Sequence, residues 1–324
     1  CPAHPRPPRT GRYGGYFNLP PIEMRLHPQF ACPAPSFVLH CPPSMSANLI
    51  GYFRLTQLDG LPAYQFEAWS DQPCLVHAIF TRHGGISRPP YATLNLSRAV
   101  GDDPSAVEYN HARIYRALDI THAQVAQCHL VHGSAVRVVS AQGAGQWHGH
   151  ADGMVTAQPG VMLSMRFADC LPILLHDPRR KAVGLVHAGW RGTLQNAAAA
   201  AVRAMVEELG CAAQDIIALI GPSIGPCCYE VGSEVVQAFT AALPEMAPIV
   251  LHRDGHRMHL DLWQANYQQL RAAGVGQVFN MALCTACHHD LFFSHRGDGG
   301  RTGRFGVVIG YRADLYVDAS TPYG

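Results

Sequence analysis

No charge of either sign dominates this 324-residue sequence, in which 24 Lys and Arg are set against 23 Asp and Glu for a formal net charge of +1. That balance leaves no electrostatic footprint for a nucleic-acid backbone or an anionic membrane surface, so a small-molecule or protein partner is favoured. No apolar run approaches the roughly 20 residues needed to span a bilayer. The N-terminus also lacks the basic region and apolar core of a secretory signal. The eleven cysteines are odd in number and have none of the dense, regular spacing of a disulfide framework, and two of them are the adjacent Cys227 and Cys228. A reducing compartment fits that usage, and a cytoplasmic protein is expected. There is no Walker A pattern and no Gly-x-Gly-x-x-Gly after a strand, which disfavours the common nucleotide-binding loops.

What is present is a globular composition, 48% hydrophobic and 15% charged, in a chain long enough to bury a full core without staples. Residues 1–50 stand apart, with 11 of the 24 prolines and no sustained apolar period. They read as a disordered extension. The sequence opens on Cys1 rather than Met, and Met45 is a candidate start. From about residue 50 the texture changes to short β-like runs punctuated by Gly, Asn and Pro. Helices are expected at 107–118, 193–209, 230–242 and 262–273, with Thr193 as an N-cap and Gly210 as a stop. Strands are expected at 76–80, 136–140, 161–168, 182–186, 216–220 and 305–311. With no internal repeat and no linker within 60–324, residues 51–324 read as a single mixed α/β domain.

The run from Val161 to Gly192 carries the chemistry. Two apolar segments flank Asp177-Pro178-Arg179-Arg180, which has the Asp and Pro of a type I turn and predicts a hairpin. With the hinge in that turn, Cys170 and His187 face each other across the ladder, close enough to share a metal ion; a longer turn shifts the register by a residue or two. Gly189-Trp190-Arg191-Gly192 then leads into a helix, so His187 sits at a strand end, a common address for a cleft. His132, in His129-Leu130-Val131-His132-Gly133, lies at another strand edge and is a third candidate ligand. Two imidazoles and a thiolate suit zinc and leave an open fourth position, the arrangement of catalytic sites. The competing reading makes Cys170 a buried small hydrophobe and His187 a satisfied strand-end histidine.

Three further segments are ambiguous. Cys284-Thr285-Ala286-Cys287-His288-His289 with His295 has the density of a metal cluster, but no separated second ligand pair is evident. The stretch Arg296 to Arg304 joins flexible backbone to guanidinium groups and reads either as an anion cradle or as a Gly-rich turn. Thr81-Arg82-His83-Gly84-Gly85 reads as a substrate loop or a tight turn.

Taken in order, TRHGGIS (81–87), YATLNLSRAVGDDPSAVEYN (91–110), HLVHG (129–133), ADGMVT (151–156), ADCLPILLHD (168–177), HAGWRGT (187–193), IGPSIGPCCYEVG (220–232) and FFSHRGDGGRTGR (292–304) resemble the YfiH family, also called laccase-domain or polyphenol oxidase family proteins. The resemblance runs from about residue 76 to the C-terminal end. It implies an α/β fold of layered sheets with flanking helices, similar to a group of toxin-like cysteine hydrolases. It also implies zinc held by His132, Cys170 and His187. The implied activities are phosphorolysis of adenosine, inosine, guanosine and methylthioadenosine and deamination of adenosine, which makes purine nucleosides and phosphate the expected partners. Copper (Cu2+) and laccase-like phenol oxidation are also claimed for the family, and some members are named peptidoglycan editing factors. On this reading Cys170, His187, His132 and Asp169 are the catalytic set, with Asp169 relaying protons. Arg82, Arg191, Arg296 and Arg301 are the expected phosphate clamps. A cysteine hydrolase with Cys170 as nucleophile and His187 as base is the rival mechanism. Where the family often has Gln ahead of Val-His-Gly, this chain has Leu130.

Overall fold

In the computed structural model, which describes residues 52–313, strands dominate the first half of the chain and helices enter between them. Strands β1 (Phe53–Leu58), β2 (Leu61–Phe66) and β3 (Leu75–Phe80) precede helix α1 (Pro104–Ala117). Next come β4 (Val125–His129), β5 (Val136–Val138), β6 (Trp147–His150), β7 (Gly153–Thr156) and β8 (Met162–Phe167). The β9 (Leu171–Asp177) and β10 (Ala182–Ala188) hairpin follows and runs into α2 (Trp190–Leu194) and α3 (Ala197–Leu209). The chain continues through β11 (Ile217–Ile220), β12 (Glu230–Val231), α4 (Ser233–Ala242), α5 (Ala247–Val250), β13 (Leu251–Asp254) and β14 (Arg257–Leu260). It finishes with α6 (Leu262–Ala272), β15 (Gln277–Asn280) and β16 (Phe305–Tyr311).

These strands build three sheets. A seven-stranded sheet has the order β1-β2-β3-β16-β8-β4-β6, a six-stranded sheet the order β15-β11-β9-β10-β7-β5, and β12-β14-β13 form a small third sheet. The strands of the β9–β10 hairpin are buried on both faces, which is why they read as near-continuous apolar runs rather than as alternation. Alternate residues nevertheless serve different layers. Leu174, Val183 and Leu185 share one apolar cluster with Leu163, Phe167, Phe305 and Val307 of the larger sheet. Leu171, Ile173, Leu175, Ala182 and Val186 share another with Ala198, Ala201 and Val202 of α3 and with Leu262 and Ala265 of α6. Ile114 and Tyr115 of α1 cover the opposite side of the larger sheet with Val76, Ala78 and Val308. The fold is therefore α/β, two packed sheets with helices outside each. The described residues lie within one compact unit. The expected 1–50 extension falls outside them.

Helix ends follow local chemistry. The Asp103 side chain accepts from the Ser105 amide with Pro104 in the first turn, so α1 begins earlier than the apolar period suggests. Asp261 caps α6 in the same way, accepting from the Gln264 amide at 2.9 Å. The expected helix from Thr193 is two helices. Asn196 takes the left-handed conformation (φ 59°) and breaks the run, so Thr193 lies inside α2 and is not a cap. The expected helix at 230–242 also starts late, because Glu230 and Val231 pair with β14 as a short strand.

The β9–β10 register corrects the hairpin arithmetic. Ala182 pairs with Asp177 and His187 pairs with Pro172, so the loop spans four residues and the pairing is displaced by two from the predicted Cys170–His187 partnership. A shift of two preserves the face, since side chains alternate with period two. Cys170 and His187 remain on the same side as diagonal neighbours.

Candidate active site

His132 follows β4, Cys170 immediately precedes β9 and His187 is the penultimate residue of β10. Their ligand atoms all lie within 4.8 Å of one another. The imidazoles of His132 and His187 meet edge to face with centroids 5.0 Å apart, and the ring of Phe167 closes over His187 from the inter-sheet core at 5.6 Å. His187 is buried, Cys170 half-buried and His132 exposed, so the cluster opens to solvent on the His132 side.

Asp152, fully buried ahead of β7, organises both histidines. One carboxylate oxygen accepts from the amides of Val131 and Gly133 at 3.1 and 2.7 Å. The other accepts from the His132 amide and from Nδ1 of His187, both at 2.9 Å. Three successive amides converging on one carboxylate hold His132 in the left-handed region at φ 59°. A carboxylate only accepts, so the proton of neutral His187 resides on Nδ1 and the Nε2 lone pair is free for the cluster. Burial works to raise the Asp152 carboxyl, but the bonds from His187 and the Gly133 amide hold it below its usual value. Nothing in the Ala151-Asp152-Gly153 stretch singles this residue out from the sequence alone. Its partners lie about 20 and 35 residues away, and a lone Asp before a strand is a weak signal.

The electrostatics favour a thiolate. Burial alone would push the Cys170 thiol up, but the facing His187 and hydrogen bonds from both histidines bring it down to about 6. Burial would likewise lower His187, and the opposing charges of Cys170 and Asp152 raise it to about 9. Gly189 lies beside this pair, and a Cβ there would meet Cys170 Sγ at 3.0 Å and His132 Cδ2 at 3.2 Å. The glycine is needed for close approach. One thiolate and two imidazoles, with one tautomer already set, fit a metal such as zinc.

The remaining expected residues divide. Asp169 adopts φ 82°. Its carboxylate accepts from Thr285 Oγ1, Ser294 Oγ and the Arg296 amide, each at 2.7 Å. That places it as the anchor of the 285–296 loop. The guanidinium of Arg82 is spent inside the protein on the carbonyls of Ala92 and His289, over the Phe293 ring. Arg191 stacks on Trp190 and is half-exposed beside Glu234. Arg296 donates to the Glu230 carbonyl at 2.9 Å and lies over the Tyr229 ring. Arg301 is exposed, whereas Arg304 is half-buried and senses the charges of Cys170 and Asp169. Tyr229, pushed up to about 12 by burial and then by the Cys170 charge, senses Arg296 and Arg191 as well. From the sequence, Arg304 enters only as part of the 296–304 anion cradle and Tyr229 is not singled out. Leu130, where the family often has Gln, packs half-buried against the inter-sheet core.

Comparison with known proteins places these residues in a family context. Residues 76–312 match the model of the family described as multi-copper polyphenol oxidoreductase laccase. The purine nucleoside phosphorylase of Deinococcus radiodurans is 44% identical over 234 residues, covering 72% of this chain and 88% of that protein. The purine nucleoside phosphorylase YlmD of Geobacillus stearothermophilus is 38% identical over 249 residues, covering 74% of this chain and 91% of its own length. The crystal structure of the hypothetical protein YfiH of Bacillus licheniformis superposes with a TM-score of 0.75 at 31% identity, covering 80% of this chain and 99% of that one. Among the described residues no helix is long and apolar enough to cross a membrane.

Proposed function

The chain belongs to the multi-copper polyphenol oxidoreductase laccase family, alongside the YfiH and YlmD proteins, and from that premise we propose that it is a zinc-dependent purine nucleoside enzyme. Its proposed reactions are phosphorolysis of adenosine, inosine, guanosine and methylthioadenosine and deamination of adenosine to inosine. The observation that carries this reading is the convergence of His132, Cys170 and His187 with the His187 tautomer set by Asp152. The names of the relatives supply the substrate class.

Zinc at these three ligands would supply Lewis acidity, which stabilises developing negative charge and makes water a nucleophile near neutral pH. The chain's own residues do the rest. Asp152 holds the Nδ1 proton of His187, so that Nε2 would be the nitrogen that gives up its proton to a metal. Arg191 and Arg296 bring positive charge to Tyr229 and Arg304 brings it to Cys170, which suits the phosphate that must approach the ribose anomeric carbon. Arg82 is given no such role because its donors are occupied, and Arg301 is left unassigned. Asp169 is assigned to positioning rather than to proton relay, since its oxygens already accept three hydrogen bonds. The Tyr229 ring offers an aromatic face to a purine base.

Copper oxidation of phenols fits the ligands less well. Multi-copper chemistry uses several histidine-rich sites, and among the described residues the second candidate ligand group is made of four cysteines. A second reading has its own observation: the pairing of a lowered Cys170 with a raised His187 resembles that of a cysteine hydrolase. One experiment separates the two. Products from adenosine and inosine are chromatographed with and without phosphate, before and after chelation, beside elemental analysis of the protein. The zinc enzyme releases free base only with phosphate and loses activity on chelation and in Cys170→Ala. Activity that survives chelation belongs to the thiol mechanism, and full activity in Cys170→Ala refutes both.

A further inference from the structure

The four cysteines just mentioned form a cluster of their own, distinct from the ligands His132, Cys170 and His187. Cys227 and Cys228 sit on the turn after Gly225, where the amides of Cys228 and Tyr229 both donate to the Gly225 carbonyl. Cys284 and Cys287 sit on a second turn, closed by the His288 amide donating to the Cys284 carbonyl at 2.9 Å. The two turns are joined backbone to backbone, because Ser223 and Cys284 form a β-bridge. The spacing Cys-x-x-Cys on one side and an adjacent pair on the other therefore converge, though some 57 residues separate them in sequence.

The sulfurs are close enough to share one metal ion. Cys287 Sγ lies 3.6 Å from Cys227 Sγ and 3.4 Å from Cys228 Sγ, and all four sulfurs fall within 4.8 Å of one another. Four sulfurs bound at about 2.3 Å around one zinc ion stand about 3.8 Å apart. The Gly225 amide donates to Cys284 Sγ at 3.3 Å, a bond that favours a thiolate acceptor over a thiol. As neutral thiols, four sulfurs in one knot have only weak donors to offer each other. As thiolates they need a cation at their centre. Cys284 is buried, Cys228 and Cys287 are half-buried and Cys227 is exposed, which gives a metal an entry side.

We propose that Cys227, Cys228, Cys284 and Cys287 form a closed four-thiolate site for a thiophilic divalent cation, zinc above all, that staples the 224–229 turn to the 284–288 turn. Four protein ligands leave no open position, so the site is structural rather than catalytic. Its position gives the staple a purpose. Thr285, next to Cys284, and Ser294 and Arg296 further along the same segment are the donors to Asp169. Tyr229, next to Cys228, lies under Arg296. The metal thus ties together two turns that wall the neighbouring ligand cluster, and binding it releases the thiol protons. From the sequence alone no separated second ligand pair for Cys284 and Cys287 is evident. It is the Cys227–Cys228 pair, while His288, His289 and His295 are not part of the group.

This inference does not depend on the proposed substrate, and its test reads metal rather than turnover. The full chain is purified from zinc-supplemented cells under reducing conditions, and zinc per chain is measured for the wild type, Cys170→Ala and Cys227→Ser/Cys287→Ser. The expected contents are close to two, one and one. X-ray absorption at the zinc edge of Cys170→Ala should show sulfur neighbours alone, at about 2.3 Å. The Cys227→Ser/Cys287→Ser protein should melt earlier than the wild type. Should that variant not fold, the wild-type and Cys170→Ala measurements still decide. A Cys170→Ala protein without zinc, nitrogen neighbours around its zinc, or disulfides among these four cysteines in the purified wild type would each overturn the proposal.

Discussion

Asp152→Asn changes one buried atom and tests how the ligand cluster is built. The carboxylate accepts four hydrogen bonds, two at each oxygen, from Val131, Gly133, His132 and His187. An amide of the same shape has one oxygen, and its NH2 must face two of those donors. Turned toward Val131 and Gly133, it leaves two backbone N–H groups without an acceptor. Turned the other way, it orphans the His132 amide and forces His187 to accept at Nδ1, which moves the ring proton to Nε2 and removes a metal ligand. Either orientation loses two bonds to a charged acceptor, each worth about 1.5–3 kcal/mol. Relaxation recovers part of this, so a loss of about 3 kcal/mol is expected against a typical total of about 5–15 kcal/mol. Carboxylate partners of metal-bound histidines typically change affinity by about 10–100-fold. Competition with a chromophoric chelator should therefore show zinc held about 10–100-fold more weakly, with denaturant unfolding shifted in both the zinc-free and zinc-loaded protein. Zinc affinity within twofold of wild type and an unmoved unfolding midpoint would refute the view that Asp152 sets the tautomer.

Gly189→Ala should separate approach from folding. Its backbone (φ −81°, ψ −178°) accepts any residue, but the new methyl would press on Cys170 Sγ and His132 Cδ2, so metal content should fall while the melting temperature of the metal-free protein stays near wild type; retained stoichiometric zinc would count against the crowding argument. Acid should destabilise the inter-sheet core through His77 and His176, which flank Trp69 and are each held down to about 4 from 6.5 chiefly by burial. The Phe66 amide donates to Nε2 of His77, a bond that protonation would break. A histidine lowered in the folded state binds its proton first in the unfolded chain. Its stabilisation is full above pH 6.5 and is lost as the pH falls toward 4, at about 1.4 kcal/mol per pH unit for each group. His77→Gln should flatten the stability curve over that window by roughly one proton, and an unchanged slope would show that His77 does not titrate there.

The parts of the fold that were legible in the sequence are those in which period and burial agree. Strand β16 spans 305–311 as expected, because its residues are buried throughout and need no knowledge of neighbours to be read. The β9–β10 hairpin was legible in face but not in register, since Pro178 to Lys181 could close as a two- or a four-residue loop and both preserve the side on which Cys170 and His187 lie. The break at Asn196 was hidden because an alanine-rich run scores as helix regardless of one left-handed residue before it. Cys170 and His187 stood out through the hairpin and their donor chemistry and His132 chiefly through the family resemblance, and the folded chain brings the three ligand atoms together. Asp152 and the Cys227–Cys228 partnership did not stand out, because their meaning resides in contacts between segments that only the folded chain brings together.

Two buried aspartates give those contacts a common logic. Asp152 stands one residue before β7 and Asp169 two before β9, both placed by the six-stranded sheet, and each gathers donors from a loop that has no sheet of its own. Asp152 gathers 131–133 and so fixes His132, while Asp169 gathers Thr285, Ser294 and Arg296 and so fixes the wall that carries Arg296 over Tyr229. An anionic acceptor is suited to this because it binds several N–H and O–H groups at once and more strongly than a neutral carbonyl does. The four cysteines close the second loop at its far end, on the turn that also carries Tyr229. The ligand cluster and its wall thus have separable supports, one resting on Asp152 and the other on Asp169 with the four thiolates. Loosening the second should therefore disturb the groups around a substrate while leaving zinc at His132, Cys170 and His187 in place.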